Sequence, residues 1–189
     1  AVTAVCYERA REEAKAAEKA VLDGEPLGLL HGLPTGIKDL DETGGLLTTY
    51  GSPLYRDFVP ERDGAMVARV RAAGAIVVGK TNVPEFGAGA NSRNFVFGAT
   101  GNPFDPMLNA GGSSGGSAVA LATDMLPVCT GSDTGGDAQR RHASTVRERH
   151  RIALRRLHRH AHADPRRQRG FHGRRRQPRR ADGRVQPSE

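Results

Sequence analysis

Apolar positions recur at helical spacing at the start of the chain. Val2, Cys6, Ala10, Ala14, Ala17 and Val21 lie three or four residues apart, with Glu8, Glu12, Lys15 and Lys19 off that stripe. This pattern predicts an amphipathic helix over residues 2–21. Gly24 stops it, and Pro26 to Pro34 reads as a loop. Leu33-Pro34-Thr35-Gly36-Ile37 then gives a short apolar approach that ends at Lys38, which places the lysine at the end of a predicted strand. Asp63 is positioned to cap a second helix carrying Met66, Val67, Val70 and Ala73 on one face, and Gly74 to close it. The continuous apolar run from Ala75 to Gly79 follows as a buried strand. Helix followed by buried strand predicts an α/β architecture.

Residues 81–112 show little periodicity and many Gly, Asn and Pro, which suits an irregular loop lining a site better than a core element. Asn109-Ala110-Gly111-Gly112-Ser113-Ser114-Gly115-Gly116-Ser117 then opens a small-residue helix over 118–123, followed by Pro127 and a strand-like stretch from Val128 to Gly131. A second glycine loop, Asp133-Thr134-Gly135-Gly136, comes next. Glycine pairs around serines expose hydroxyls beside backbone N–H groups, the pairing a nucleophile and an oxyanion hole require. A hydroxyl nucleophile needs a base. The first 137 residues contain one histidine, His31, with no triad pattern around it, which argues against a Ser-His-Asp hydrolase. Lys38, if partly buried, could accept a serine proton; the plainer alternative pairs it with Asp39, Asp41 or Glu42 on a wet surface. A phosphate cradle is disfavoured, because the loop lacks the Gly-Lys-Ser/Thr of a Walker sequence and the spacing of a dinucleotide fingerprint.

At 189 residues the chain allows one domain, and Cys6 and Cys129 alone make no disulfide framework. With no long apolar run and no leader-like N-terminus, the expectation is a cytoplasmic protein with no membrane segment. The net charge of +7 conceals a split. Residues 1–137 hold 11 basic and 17 acidic side chains; residues 138–189 hold 17 Arg, no Lys and 4 acids. The tail has six of the seven histidines and six large aliphatic or Phe residues, too few to bury a core, and is expected to be disordered. Three readings compete: a nucleic-acid-binding arm, a functionless native tail, and out-of-frame translation of GC-rich DNA. The third is favoured, since an arm selected for charge has no reason to exclude Lys, which also contacts phosphate. His158, His160 and His162 have no fold to fix them as metal ligands, and no metal or cofactor is expected.

Four segments together carry a family resemblance: Leu33-Pro34-Thr35-Gly36-Ile37-Lys38-Asp39; Gly79-Lys80-Thr81-Asn82 with Glu85-Phe86; Gly111-Gly112-Ser113-Ser114-Gly115-Gly116-Ser117; and Gly131-Ser132-Asp133-Thr134-Gly135-Gly136. In this order they resemble the amidase signature family over nearly all of residues 1–137 and none of 138–189. The resemblance implies the N-terminal portion of an α/β/α sandwich with a mixed sheet. It also implies a hydrolase that cleaves carboxamide C–N bonds with a Ser, cis-Ser, Lys triad. Lys38 takes the place of the catalytic lysine, and Ser113 that of the serine that follows a cis peptide bond and relays a proton. Backbone N–H groups of Thr134, Gly135, Gly136 and residue 137 take the place of the oxyanion hole; Lys80 is assigned a structural part. Where the family has its nucleophilic serine, this sequence has Asp137, and the resemblance stops there. One frame change within or just after the Gly136 codon explains both losses.

The expected reading is therefore an amidase-family hydrolase in truncated form. A small-molecule amide is the substrate class of the intact enzyme, a homo-oligomer is compatible with it, and the sequence as it stands is inactive. The alternative is a non-catalytic protein with a basic nucleic-acid-binding tail, which the Lys-free composition disfavours. Because the family's remaining strands lie beyond residue 137, a marginally stable chain is expected.

Overall fold

The computed structural model describes residues 1–133. The chain begins not with a helix but with a strand, β1 (Val2–Val5), and the helix α1 starts only at Tyr7 and runs to Leu22. The four-residue spacing of Val2 and Cys6 mimics a helical stripe. It is overridden because Val2 and Val5 pair antiparallel with Thr81 and Gly79, a ladder that suits β-branched side chains. Cys6 sits at the junction, its N–H on Val78 O at 3.1 Å and its Sγ–H on Val77 O at 3.2 Å. Along α1 only Ala10 is buried, and Val21 and Leu22 at its far end are exposed.

The predicted strand at the first lysine is β2 (Pro34–Lys38). The second helix, α2 (Ala65–Ala72), is preceded by Gly64 at its N-cap with no side-chain cap. Asp63 therefore does not cap it. Its Oδ1 accepts from Gly44 N–H at 2.8 Å, and its Oδ2 pairs with Arg71 Nε at 3.0 Å. Arg71 Nη1 also reaches Glu13 Oε1 at 2.8 Å, so one guanidinium joins α1, α2 and the loop before α2. Gly74 closes α2 with φ +92°, a conformation glycine adopts without strain. Strand β3 (Ile76–Thr81) follows and runs two residues further than predicted.

The principal sheet has the order β1-β3-β2-β6, where β6 is Val128–Cys129. Strand β2 is parallel to both β3 and β6, and β1 is antiparallel to β3, so the sheet is mixed. Between β2 and β3 the register moves from Thr35 opposite Val77 to Gly36 opposite Gly79, which leaves Val78 as an extra residue on β3. Side chains alternate faces along a strand, and an extra residue inverts that alternation downstream. Thr35, Ile37, Val77 and Lys80 therefore share one face, and Gly36, Lys38 and Thr81 the other. On the first face Ile37, Val77, Leu46 and the α2 residue Val67 form the core cluster. The second face is covered by α3 (Gly115–Ala122), which packs on β6, β2 and β3. Gly36 suits this close packing, since a Cβ would lie 2.8 Å from Leu126 Cδ1 and 3.0 Å from Cys129 Sγ and would push those side chains aside.

Residues 82–112 form the irregular loop expected, built on side-chain amides rather than periodic strands. Its one hairpin pairs β4 (Arg93–Asn94) with β5 (Gly98–Ala99). Asn94 Nδ2 donates to Asn82 Oδ1 and Val83 O, both at 2.7 Å, and Asn94 Oδ1 accepts from the N–H groups of Val96 and Phe97. The loop grips the start of α3: Gly115 N–H donates to Ser92 Oγ at 2.9 Å and Gly116 N–H to Asn82 O at 3.1 Å. A Cβ on Gly116 would sit 2.2 Å from Asn82 N, so the glycine pair is what lets the helix approach this closely. Thr134, Gly135, Gly136, Asp137 and the 138–189 tail lie outside the described residues.

Candidate functional site

Strand β2 delivers Lys38 to the carboxyl end of the parallel strands, on the face that α3 covers. Open α/β sheets place their chemistry at this edge. Lys38 is 1% exposed. Its Nζ donates to Ser113 Oγ at 2.7 Å and Ser132 Oγ at 2.8 Å, with Ser132 O at 3.5 Å. Ser113 arrives from the turn before α3, and the Gly112–Ser113 peptide bond is cis. Ser132 arrives from the other side, just past β6. The backbone at Lys38 is fixed by its N–H on Thr130 Oγ1 at 2.8 Å.

Hydrogen bonds from Lys38 Nζ thus go to serines, not to Asp39, Asp41 or Glu42 as the wet-surface alternative requires. Burial pulls the Lys38 ammonium below the usual lysine range, opposed by the negative charges of Asp41 and Asp133. A neutral amine becomes more accessible in such a position, and a neutral amine beside a hydroxyl can take its proton.

Lys80, put on the opposite face by the extra residue in β3, does different work. Its buried Nζ donates to Asp41 O, to Thr43 Oγ1 at 3.0 Å and to Thr48 Oγ1 at 3.1 Å, and lies 3.9 Å from Asp39 Oδ1. Asp39 in turn accepts from Thr49 Oγ1 at 2.6 Å and Thr49 N–H at 3.1 Å. The cluster fastens the 39–49 loop beneath the site. Burial lowers Lys80 to about 8, partly offset by Asp39 and Asp41, and raises both carboxyls above the usual range.

A lysine held lower in the folded chain than in the unfolded one, where it titrates near 10.4, binds fewer protons when folded across that interval. Stability should therefore rise with pH once Lys80 begins to lose its proton near 8. Lys38 adds a contribution of the same sign. Cys129, held up to about 11 by burial, opposes it above roughly pH 9. Urea midpoints are expected to increase from pH 8 to pH 9 in the unaltered chain, and a flat or falling profile would contradict this charge assignment.

Ser132 and Thr130 are partners of the lysine, and Ser114 a partner of Ser132, that sequence reasoning does not single out. The signal lies in the strand pairing. Register Gly36 opposite Cys129 carries the residues just past β6 alongside Lys38, but pairing of strands 90 residues apart is not local information. Of the residues assigned from the resemblance, the structure brings Lys38 and Ser113 together. Among the described residues no three His, Cys, Asp or Glu side chains gather as metal ligands would, and no helix is long and apolar enough to cross a membrane.

A family profile named Amidase matches residues 1–138. Over 132 residues the chain is 46% identical to a glutamyl-tRNA(Gln) amidotransferase component from Alkaliphilus metalliredigens, covering 70% of this chain and 27% of that protein. Among solved structures, an amidase crystal structure is similar with a TM-score of 0.65 and 41% identity, covering 72% of this chain and 31% of the other. A substrate complex of 6-aminohexanoate cyclic dimer hydrolase is similar with a TM-score of 0.65 and 34% identity, covering 76% and 28%. The chain thus spans under a third of the length of these relatives. The profile ends where the Arg-rich composition begins, and the described residues agree with solved amidases in sequence and in backbone. The chain belongs to the amidase signature family.

Proposed function

We propose that residues 1–137 carry the lysine and relay-serine half of an amide-hydrolysing centre, and that turnover is blocked at position 137. The observation that supports this reading most is Lys38 Nζ at 2.7 Å from Ser113 Oγ in a buried position. In this reading Lys38, neutral, takes a proton from Ser113 while Ser113 takes one from a nucleophilic hydroxyl. The oxygen so freed attacks the carboxamide carbon, and the proton returns to the departing nitrogen. Backbone N–H groups of Thr134, Gly135, Gly136 and residue 137 would receive the developing oxyanion. Asp137 supplies no hydroxyl, and a carboxylate there repels the negative charge that attack creates. Residues 139–189 form no part of the amidase domain in this proposal, a reading supported by the Amidase profile match, which covers residues 1–138.

The substrate class is a small-molecule amide, in keeping with the similarity to 6-aminohexanoate cyclic dimer hydrolase. Purified 189-residue chain is expected to release no ammonia or amine from simple carboxamides. Hydrolysis that disappears on Lys38→Met would contradict the proposed block at Asp137.

A further inference from the structure

The serine past β6 stands as close to Lys38 as the serine before α3, and its own placement is over-determined. Ser132 N–H donates to Ser114 Oγ at 3.2 Å, and Ser114 Oγ–H donates back to Ser132 O at 3.1 Å. Ser114 is buried at the start of α3, so this reciprocal pair ties the end of β6 to the helix that carries Ser113. The tie presents two oxygens of one residue to the lysine: Ser132 Oγ at 2.8 Å and, at longer range, Ser132 O at 3.5 Å.

Stereochemistry then limits what the amine can do. A neutral lysine nitrogen has two N–H bonds and one lone pair, arranged tetrahedrally about the bond to Cε. The carbonyl of Ser132 can only accept a hydrogen. With the Ser132 oxygens taking the N–H bonds, the direction left for the lone pair is toward Ser113 Oγ, at 2.7 Å. A lysine side chain without such partners rotates freely about its terminal bond and presents its lone pair in no fixed direction.

We propose that Ser132, clasped by Ser114, is a positioning residue that holds the Lys38 amine with its lone pair directed at Ser113. This rests on the reading of Lys38 as the base, but is separable from it. The charged groups facing Lys38 are Asp41 on the loop after β2 and Asp133 beside Ser132; Lys80 and Asp39 lie on the other side of the sheet. Replacing Ser132 leaves all four in place, so a change at Lys38 reports the lost hydroxyl rather than a changed field.

The sequence has four lysines, Lys15, Lys19, Lys38 and Lys80, so 13C labelling of lysine Cε resolves each titration by NMR without any activity. The Lys38 signal is assigned by its loss in Lys38→Arg. In the unaltered chain Lys38 should titrate below the usual lysine range. Ser132→Ala removes an acceptor that favours the charged form, and should lower Lys38 further by about half a unit or more. Ser132→Thr, which keeps the hydroxyl, should restore it. A Lys80 titration unchanged from that of the unaltered chain shows that the fold is intact. If Ser132→Ala disturbs Lys80, Ser114→Ala is read in the same way. A Lys38 that does not move in a folded Ser132→Ala or Ser114→Ala variant overturns the positioning role alone. A Lys38 that titrates in the usual lysine range in the unaltered chain overturns it together with the base assignment.

Discussion

Lys80→Met is expected to remove a large share of the stability of the chain, about 3–5 kcal/mol, whereas Lys38→Met leaves the fold standing. The two lysines are equally buried, at 0% and 1% exposure, so the difference lies in their partners. Lys80 faces the Asp39 carboxylate and binds Asp41 O and the hydroxyls of Thr43 and Thr48. Methionine in its place leaves Asp39 as a buried charge held only by Thr49 and Gly51, and releases the loop that closes one face of the sheet. Lys38 binds neutral serine oxygens, which can pair with one another or with water once the amine is gone. Small domains carry only about 5–15 kcal/mol in total, so the loss at Lys80 is large. Urea unfolding followed by circular dichroism at pH 7 measures both variants. A Lys80→Met chain as stable as the unaltered one, or one more stable than Lys38→Met, would contradict this division of labour.

That division rests on one residue that sequence reading could not supply. Local pattern placed Lys38 at the end of a strand and the first glycine loop before a small-residue helix, and stopped the next strand one residue short of Lys80, because hydrophobic runs and glycine clusters act over a few residues. The extra residue at Val78, which puts Lys80 on the opposite face from Lys38, is a property of pairing between strands about 40 residues apart. The family motifs assigned Lys80 a structural part, but its partners Thr43 and Thr48 come from a stretch with no periodic signal. At the chain start, Val2 and Cys6 satisfied a helical spacing that edge pairing with β3 overrode. At Asp63, a capping residue type one position too early was recruited by Gly44 and Arg71 instead. Lys38 and Ser113 were legible from motif. Ser132 and its partner Ser114 were not, since the meeting of Ser132 with Lys38 depends on β6 lying parallel to β2.

Asp137→Ser is expected to create a reactive hydroxyl. The family resemblance puts the nucleophile at this position, immediately after the Gly135-Gly136 pair. A serine there would be deprotonated through Ser113 by Lys38, and general-base assistance of this kind is worth about 10²–10⁴ in rate. The effect is binary in the unaltered chain, because no hydroxyl occupies position 137 to be activated.

The measurement that bears most directly on Lys38 as the base is labelling of this variant with a fluorophosphonate, read by intact mass and peptide mapping. Attack by the serine oxygen on phosphorus forms a P–O bond, breaks the P–F bond and releases fluoride, so one mass addition at residue 137 reports the reaction. Labelling of Asp137→Ser at residue 137, slowed at least about 10²-fold when Lys38→Met is added, is the expected result. Labelling at the same rate with and without Lys38, or no labelling of a folded Asp137→Ser chain, would contradict it.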